Sequence, residues 1–157
     1  MMEKMGLNKN NLNGKVAVIT GAGRGIGKCL ARTLAWLGAR VVIAEITDDG
    51  AEVEALIRSE GGSVLYIKTD ISDEYSIKRL IEKTFKEFGK VDILINNATI
   101  VETGSILKML LEKWERSWKV DVMATVRLTK AFLPVMLKRG YGVIVTITSL
   151  PMRGCHM

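Results

Sequence analysis

Three closely spaced glycines follow the first apolar segment of the chain. The segment KVAVIT, residues 15–20, leads directly into GAGRGIG, residues 21–27. In such a turn Gly21 permits a tight exit from a strand, Gly25 lets the backbone approach a pyrophosphate, and Gly27 lets the next helix pack closely. The free N–H groups and the positive dipole end of that helix then face the phosphates. The pattern G-x-x-x-G-x-G predicts a dinucleotide site, although one or two of these glycines would also suit a plain turn.

The kind of dinucleotide depends on an acidic residue at the end of the second apolar segment. RVVIAE, residues 40–45, places Glu45 about two dozen residues after the first glycine, where a carboxylate accepts hydrogen bonds from the adenosine ribose. Because it also repels a 2′-phosphate, Glu45 favours NAD over NADP. Arg24 and Lys28 favour NADP, since either cation would attract that phosphate. Glu45 has an alternative interpretation as a solvated charge at a strand end, and Ile26 is a further predicted contact of the cofactor.

Apolar segments rich in β-branched residues alternate with helical patterns along the rest of the chain. Buried strands are predicted at 15–20, 40–45, 63–68, 91–96 and 142–148. Helices are predicted up to Gly38, from Asp48 to about Ser59, from a cap at Ser72 or Asp73 to Gly89, and from about Ile106 to about Lys138 with a break near Glu115. This alternation predicts a doubly wound α/β fold, a Rossmann-type parallel sheet of about five strands in the order 3-2-1-4-5 with helices on both faces. Ligands of such sheets bind where the strands end.

Further motifs occur in a fixed order. They are LNGKVAVITGAGRGIGK around the glycine turn, Asp70 after the third strand, VDILINNA at 91–98, a W-x-x-x-x-x-V-D pattern from Trp114, AFLPVM at 131–136, and GVIVTITS at 142–149. With these motifs the chain resembles the short-chain dehydrogenase/reductase family over about residues 12–150. The resemblance implies an NAD(P)-dependent oxidoreductase that moves a hydride between the nicotinamide and a small alcohol or carbonyl substrate.

The resemblance also implies roles for single residues in binding the cofactor. Gly21, Gly25 and Gly27 would hold the pyrophosphate. Asp70 would hydrogen-bond the adenine, with Ile71 beside the ring. Asn97 and Ala98 belong to a motif that lines the adenosine ribose, and the motif begins with Asn96 in the central strand. Without this context the asparagine pair would suit an ordinary polar turn.

The catalytic part of the family pattern is matched less well. Ser149 corresponds to the serine that hydrogen-bonds the substrate oxygen. Asp121 occupies the position of the catalytic asparagine, and a partly buried acid without a catalytic role is an equally good interpretation. Thr99 stands where the family has a glycine, so a β-branched side chain enters a tight place.

No Tyr-x-x-x-Lys pair, the family's proton-donating motif, follows Ser149, after which eight residues remain. We therefore expect a chain truncated before that pair, without the last strands of the family and inactive alone. The alternative is a non-catalytic module that binds a dinucleotide or another protein. In the truncated chain the fifth strand would be a sheet edge and the long helix would expose apolar surface, so we expect pairing of copies through these two surfaces.

Composition and charge limit the other partners. The 157 residues have a net charge of +6, but Lys and Arg are scattered, which favours a solvated basic surface over nucleic-acid binding. Cys29 and Cys155 lack metal-ligand spacing and there is one histidine, so we predict no metal site and a cytoplasmic protein with free thiols. No apolar run reaches the about 18 residues of a membrane span. Residues 1–12 are predicted to be a flexible tail and 13–157 a dinucleotide-binding domain.

Overall fold

The structure is a computed structural model that describes residues 6–149, and its centre is one parallel sheet of five strands. The strands are β1 (Val16–Thr20), β2 (Arg40–Glu45), β3 (Ser63–Lys68), β4 (Ile93–Asn96) and β5 (Val143–Thr146). They pair in parallel in the order β3-β2-β1-β4-β5. The doubly wound α/β fold and its strand order are confirmed. The order reverses between β1 and β4, so a crevice opens at their carboxyl ends.

Helices cover both faces of the sheet because its central strands are apolar on both sides. They are α1 (Gly25–Trp36), α2 (Asp49–Ser59), α3 (Glu74–Phe88), α4 (Leu111–Ser117) and α5 (Ala124–Lys138), and a π-helical turn (Trp118–Met123) joins the last two. Ile19 of β1 belongs to the core under α1 and α2, whereas the preceding Val18 belongs to the core under α3 and α5. Within the described residues, no helix has the length and apolar character needed to cross a membrane.

The starts of α2 and α3 test the helix caps predicted at Asp48 and at Ser72 or Asp73. Asp73 caps α3, since its carboxylate accepts a hydrogen bond of 2.8 Å from the backbone N–H of Ser76. Asp48 precedes α2 as predicted, but its side chain makes no capping hydrogen bond. It accepts instead from Nζ of Lys68 at 2.9 Å, because the end of β3 lies beside the start of α2.

The predicted long helix is shorter and is interrupted elsewhere. It begins at Leu111 rather than near Ile106, because Leu110 has extended backbone (φ −64°, ψ 141°) and residues 105–109 form a separate turn. The interruption is the π-helical turn, so the break predicted near Glu115 is wrong in position. A wider turn adds a residue without ending the helix, and the apolar periodicity of the sequence does not reveal it.

The fifth strand is shorter and more exposed than predicted. It spans four residues, and the side chains of Val143 and Val145 are 43% and 42% exposed. In the described sheet β5 pairs with β4 only. Of the residues 143–147, Ile144 and Ile147 are the ones that pack against the two cores. The prediction of a buried strand is therefore wrong, whereas the expectation of an exposed sheet edge agrees with the structure.

A buried carboxylate joins the amino ends of the two central strands. Asp92, which is fully buried just before β4, accepts a hydrogen bond of 2.9 Å from the N–H of Val16 at the start of β1. Arg139, after α5, donates to the other oxygen, Oδ1, at 2.9 Å. Nζ of Lys90 lies 3.1 Å from Oδ2, the oxygen that also accepts from Val16. Burial alone would raise the pKa of Asp92, but the hydrogen bonds from Val16, Arg139 and Lys90 outweigh it and keep this pKa below its ordinary value.

We predict that Asp92→Asn lowers the free energy of unfolding by about 2 kcal/mol near neutral pH, because it weakens hydrogen bonds to a charged acceptor. Folding lowers the pKa of Asp92, so its carboxylate contributes fully to the free energy of unfolding above the unfolded-state pKa of about 3.9. This contribution is lost as the pH falls through the folded-state pKa. Urea unfolding of both proteins should therefore show a difference that shrinks in acid. Exposed Glu87 provides the matched control Glu87→Gln, and equal stabilities at neutral pH would contradict the prediction.

Candidate functional site

A cavity of about 510 Å³ opens where β1, β2 and β4 end. It is lined by Gly21, Arg24, Ile26, Gly27, Ala44, Glu45, Ile46, Thr69, Asp70, Ile71, Ser72, Asn97, Ala98, Thr99, Ile100, Arg116 and Val120. Nine of the ten residues predicted to bind a cofactor are in this set; Gly25, inside the same turn, is the exception. Five separate segments of the sequence therefore contribute to one cavity at the place expected for a doubly wound sheet.

A second cavity, of about 560 Å³, lies at the opposite ends of the strands, between α1 and α2. Its lining includes Cys29, Arg32 and Glu60, and it contains none of the predicted site residues. Arg32 and Glu60 form an ion pair with each other. Although slightly larger, this cavity lies away from the strand ends at which such folds bind ligands.

The glycines of the turn are required by close contacts and by backbone conformation. Gly21 has a positive φ of 63°, and a β-carbon on it would lie 2.8 Å from Cα of Ala98. A β-carbon on Gly27 would overlap the carbonyl oxygen of Gly21. Gly25 also has a positive φ, of 52°, but no atom lies within 4 Å of the place of its missing β-carbon. Gly21 and Gly27 thus close the turn, and the space beside Gly25 is open to a ligand.

The helix that follows the turn leaves its first N–H groups available. Arg24 is the residue before α1, and its side chain makes no capping hydrogen bond. The first turn of α1 contains no acidic residue that would compete for these donors. Unpaired N–H groups at the positive end of a helix dipole suit a phosphate group, and they lie beside the cavity.

Glu45 is buried and held by the backbone around it. One carboxylate oxygen accepts from the N–H of Gly23 at 3.0 Å, and the other accepts from Ile46 at 2.8 Å and Thr47 at 3.3 Å. The residue is 8% exposed, so it is not the freely solvated strand-end charge that was the alternative interpretation. Gly23 is required by this arrangement, because a β-carbon there would lie 2.8 Å from Cγ of Glu45.

The segment after β3 supplies a carboxylate and an apolar side chain to the cavity. Asp70 accepts from both the N–H (2.8 Å) and the hydroxyl (2.7 Å) of Ser72 through the same oxygen. Ile71, which is 8% exposed, packs with Val120 and Ala124 from the π-helical turn and α5. This side of the cavity therefore combines one fixed polar group with an apolar surface.

The segment after β4 is held to the end of β1 by side-chain hydrogen bonds. The hydroxyl of Thr20 accepts from the N–H groups of Asn97 and Ala98, each at 3.0 Å. The amide of Asn97 donates to the carbonyl oxygens of Thr20 at 2.9 Å and Gly21 at 3.1 Å. Asn97 therefore joins two loops. Thr20 joins them as well and was not among the predicted site residues, although it ends its strand in a hydroxyl.

Asp121 contacts the same segment from the other side. Its Oδ1 accepts from the hydroxyl of Thr99 at 2.9 Å and from the N–H of Ile100 at 3.1 Å. Thr99 stands where the family has a glycine, but its backbone is not left-handed, since no residue other than glycine has a positive φ within 6–149. Asp121 does not itself line the cavity, whereas Thr99 and Ile100 do.

Ser149 lies apart from these residues. It is exposed, follows β5 by three residues, and is not in the lining of the cavity. Ile46 and Thr69 also line the cavity, and they lie just after β2 and β3, where ligands were expected to bind. Arg116 comes from a helix and was not predicted.

The lining indicates what the cavity can do chemically. It contains backbone N–H donors, an amide, two carboxylates and two arginines, and it contains no tyrosine, histidine or lysine. These groups suit the recognition of a ligand with phosphates and hydroxyls. They provide no group of the kind that usually exchanges protons near neutral pH.

Comparisons with known proteins agree with this geometry. An uncharacterized oxidoreductase of Thermotoga maritima is 43% identical over 139 residues, which cover 88% of this chain and 54% of the relative. The 3-oxoacyl-(acyl-carrier-protein) reductase FabG of Escherichia coli is 37% identical over 140 residues, or 89% of this chain and 57% of the reductase. The chain thus spans about half the length of the curated relatives it matches.

Solved structures show the same fold. A 7α-hydroxysteroid dehydrogenase complexed with NADH and 7-oxo glycochenodeoxycholic acid has a TM-score of 0.85 and 38% identity, covering 90% of this chain and 56% of the other. A metagenomic short-chain oxidoreductase in complex with NADP has a TM-score of 0.87 and 34% identity, covering 92% and 66%. The family model for short chain dehydrogenases matches residues 15–153. The chain belongs to the short-chain dehydrogenase family.

Proposed function

We propose that the described residues are the NAD-binding portion of an oxidoreductase that transfers a hydride between the nicotinamide and an alcohol or carbonyl substrate. The observation that carries the proposal is the meeting of nine predicted cofactor residues in one cavity at the strand ends. The dehydrogenase relative solved with NADH and the oxidoreductase solved with NADP support a nicotinamide cofactor. When bound, such a cofactor supplies the hydride chemistry.

Each part of the cavity suits one part of the cofactor. The open side of Gly25 and the uncapped start of α1 suit the pyrophosphate. The fixed carboxylate of Glu45 suits the adenosine hydroxyls, and Asp70 with Ile71 suits the adenine. Ala98, held by Thr20, adds a small side chain beside the ribose. These assignments follow the order of the segments around the crevice.

The charge at Glu45 makes NAD the proposed cofactor and NADP the alternative. Three backbone N–H groups hold the carboxylate in place, so it cannot turn away from a 2′-phosphate without losing them. Arg24 lines the same cavity and would attract that phosphate, but it is exposed and solvated. A buried charge acts more strongly than a solvated one at the same distance.

The substrate side is proposed on the family resemblance. Ser149 is the proposed hydrogen-bond donor to the substrate oxygen, and its exposure leaves the hydroxyl accessible. None of Tyr66, Tyr75 and Tyr141 is followed by Lys at the fourth position, and none lines the cavity. We therefore propose that these residues bind cofactor without turning over substrate by themselves. Cys29 is exposed and has no disulfide partner within residues 6–149, which suits the proposed cytoplasmic location.

The alternative function is a non-catalytic module that binds a dinucleotide or another protein, a second copy of this chain included. Trp114 and Trp118 are 46% and 58% exposed on α4 and the π-helical turn, and Val143 and Val145 are exposed on β5. Exposed apolar side chains of this kind suit contact with another protein surface. The division into a tail, residues 1–12, and a domain from residue 13 also stays a proposal. Leu12, the last residue of that tail, packs against the core beneath α1.

We predict that this protein binds NADH more tightly than NADPH and that Glu45→Gln reduces the ratio of the two affinities by about tenfold. The one oxygen of glutamine can accept either from Gly23 or from Ile46 and Thr47, which affects both cofactors, whereas loss of the charge that repels the 2′-phosphate affects NADPH alone. Fluorescence titration with each cofactor measures both affinities. Tighter binding of NADPH by the unchanged protein would contradict the NAD assignment, and an unchanged ratio in the variant would contradict the role of Glu45.

We predict that Gly25→Ala weakens NADH binding about tenfold or more, because a methyl group enters the open space beside the turn and disturbs the backbone approach to the pyrophosphate. Gly89→Ala is the matched control: it has a similar positive φ of 67° and equally open surroundings, but lies at the end of α3 outside the cavity. Both variants should lose a similar amount of stability, about 1 kcal/mol. Equal NADH affinities of the two variants would contradict the prediction.

A further inference from the structure

We propose that Thr99 and Asp121 form a coupled positioning pair that sets one wall of the cofactor cavity. The inference rests on the proposed cofactor site and goes beyond it, because it gives both residues a shared task. Each differs from the residue that the family resemblance leads one to expect, glycine and asparagine respectively, and the structure places the two differing side chains in direct contact.

The wall in question is the segment 97–100, whose four residues all line the cavity. At its first end, the hydroxyl of Thr20 and the amide of Asn97 fix the segment to β1. These contacts reach as far as Ala98. A second attachment is needed beyond Ala98 for the remaining residues to hold one position, because a loop fixed at one end keeps much of its conformational freedom.

Asp121 provides that second attachment. Its Oδ1 receives the hydroxyl of Thr99 at 2.9 Å and the N–H of Ile100 at 3.1 Å, so one oxygen holds two successive residues. An ionised carboxylate is an acceptor only, which matches two donors. A glycine at position 99 would remove one of the donors, and the two substitutions are therefore complementary.

The π-helical turn links this contact to the opposite wall. Val120, the neighbour of Asp121, is 8% exposed, lines the cavity, and packs with Ile71 from the segment after β3. Asp121 thus holds Ile100 beside the same apolar group that contains Val120. Loss of the pair would release Ile100 from that group, leave Thr99 without its attachment, and widen the cavity. Asp121 is on this account a positioning residue that acts through Thr99 and Ile100.

A double-mutant cycle on NADH affinity tests the coupling. Thr99→Val keeps the shape and removes the hydroxyl, and Asp121→Ala removes the acceptor. We expect Thr99→Val, which loses one hydrogen bond, to weaken NADH binding about fivefold, and Asp121→Ala, which loses two, to weaken it further; the double variant should bind no more weakly than Asp121→Ala. The controls Thr103→Val and Glu115→Ala alter exposed side chains nearby, one just beyond Ile100 and one in α4, that make no side-chain hydrogen bond within residues 6–149, and should bind as the parent does. Additive losses, or no loss, would overturn the proposal.

Rescue by a conservative variant separates positioning from a general effect on folding. Asp121→Asn retains Oδ1 as an acceptor for both donors, so it should recover most of the affinity that Asp121→Ala loses. Affinity as low in Asp121→Asn as in Asp121→Ala would overturn the proposal, since the acceptor oxygen would then not be what matters.

Amide hydrogen exchange without cofactor provides a readout that does not depend on the proposed function. Exchange at Ile100 should be about fivefold or more faster in Asp121→Ala than in the parent, while exchange at Ile147, whose N–H is bonded to Asn96, stays the same. Unchanged exchange at Ile100 would overturn the pair. If exchange changes as expected but the parent binds no NADH, the pair stands and the proposed cofactor fails.

Discussion

The hydroxyl of Thr20 joins the two loops on which the cavity depends. It ends β1, and it accepts the N–H groups of Asn97 and Ala98 from the loop after β4. Both donors are backbone groups at the end of a buried strand, where an unpaired N–H would cost free energy. One side chain therefore satisfies two groups that the end of the β4 pairing leaves free, and it brings Ala98 against the glycine turn.

The glycine positions follow from that closeness. With Ala98 seated on the turn, a β-carbon at Gly21 has no space, and the packing of α1 against the turn excludes one at Gly27. Gly25 is different because no atom lies near the place of its missing β-carbon. Glycine is favoured there only by the positive φ of the backbone. Gly21 and Gly27, which line the cavity, are thus required by close packing, whereas Gly25 is the one of the three with open space at its missing β-carbon.

Sequence reasoning identified the features that repeat along the chain or sit at strand ends. Alternating apolar segments predicted all five strands, and nine of the ten predicted cofactor residues line one cavity. It did not identify features that depend on partners far apart in the chain. Asp48 looked like a helix cap, but its carboxylate bonds to Lys68. Arg116 reaches the cavity from α4 and Val120 from the π-helical turn, which has no periodic signal in the sequence. β5 was predicted as buried from its composition alone, which does not show how many neighbours a strand has.

The central claim is that the cavity at the ends of β1, β2 and β4 is the NAD site. Two-dimensional NMR of the labelled protein during titration with NADH tests it most directly, since every backbone amide reports its own surroundings. NADH bound in this cavity should shift the signals of residues 21–27, 45–47, 70–72 and 97–100 most. Shifts concentrated around Cys29, Arg32 and Glu60 in the other cavity, or no shifts at saturating NADH, would contradict it.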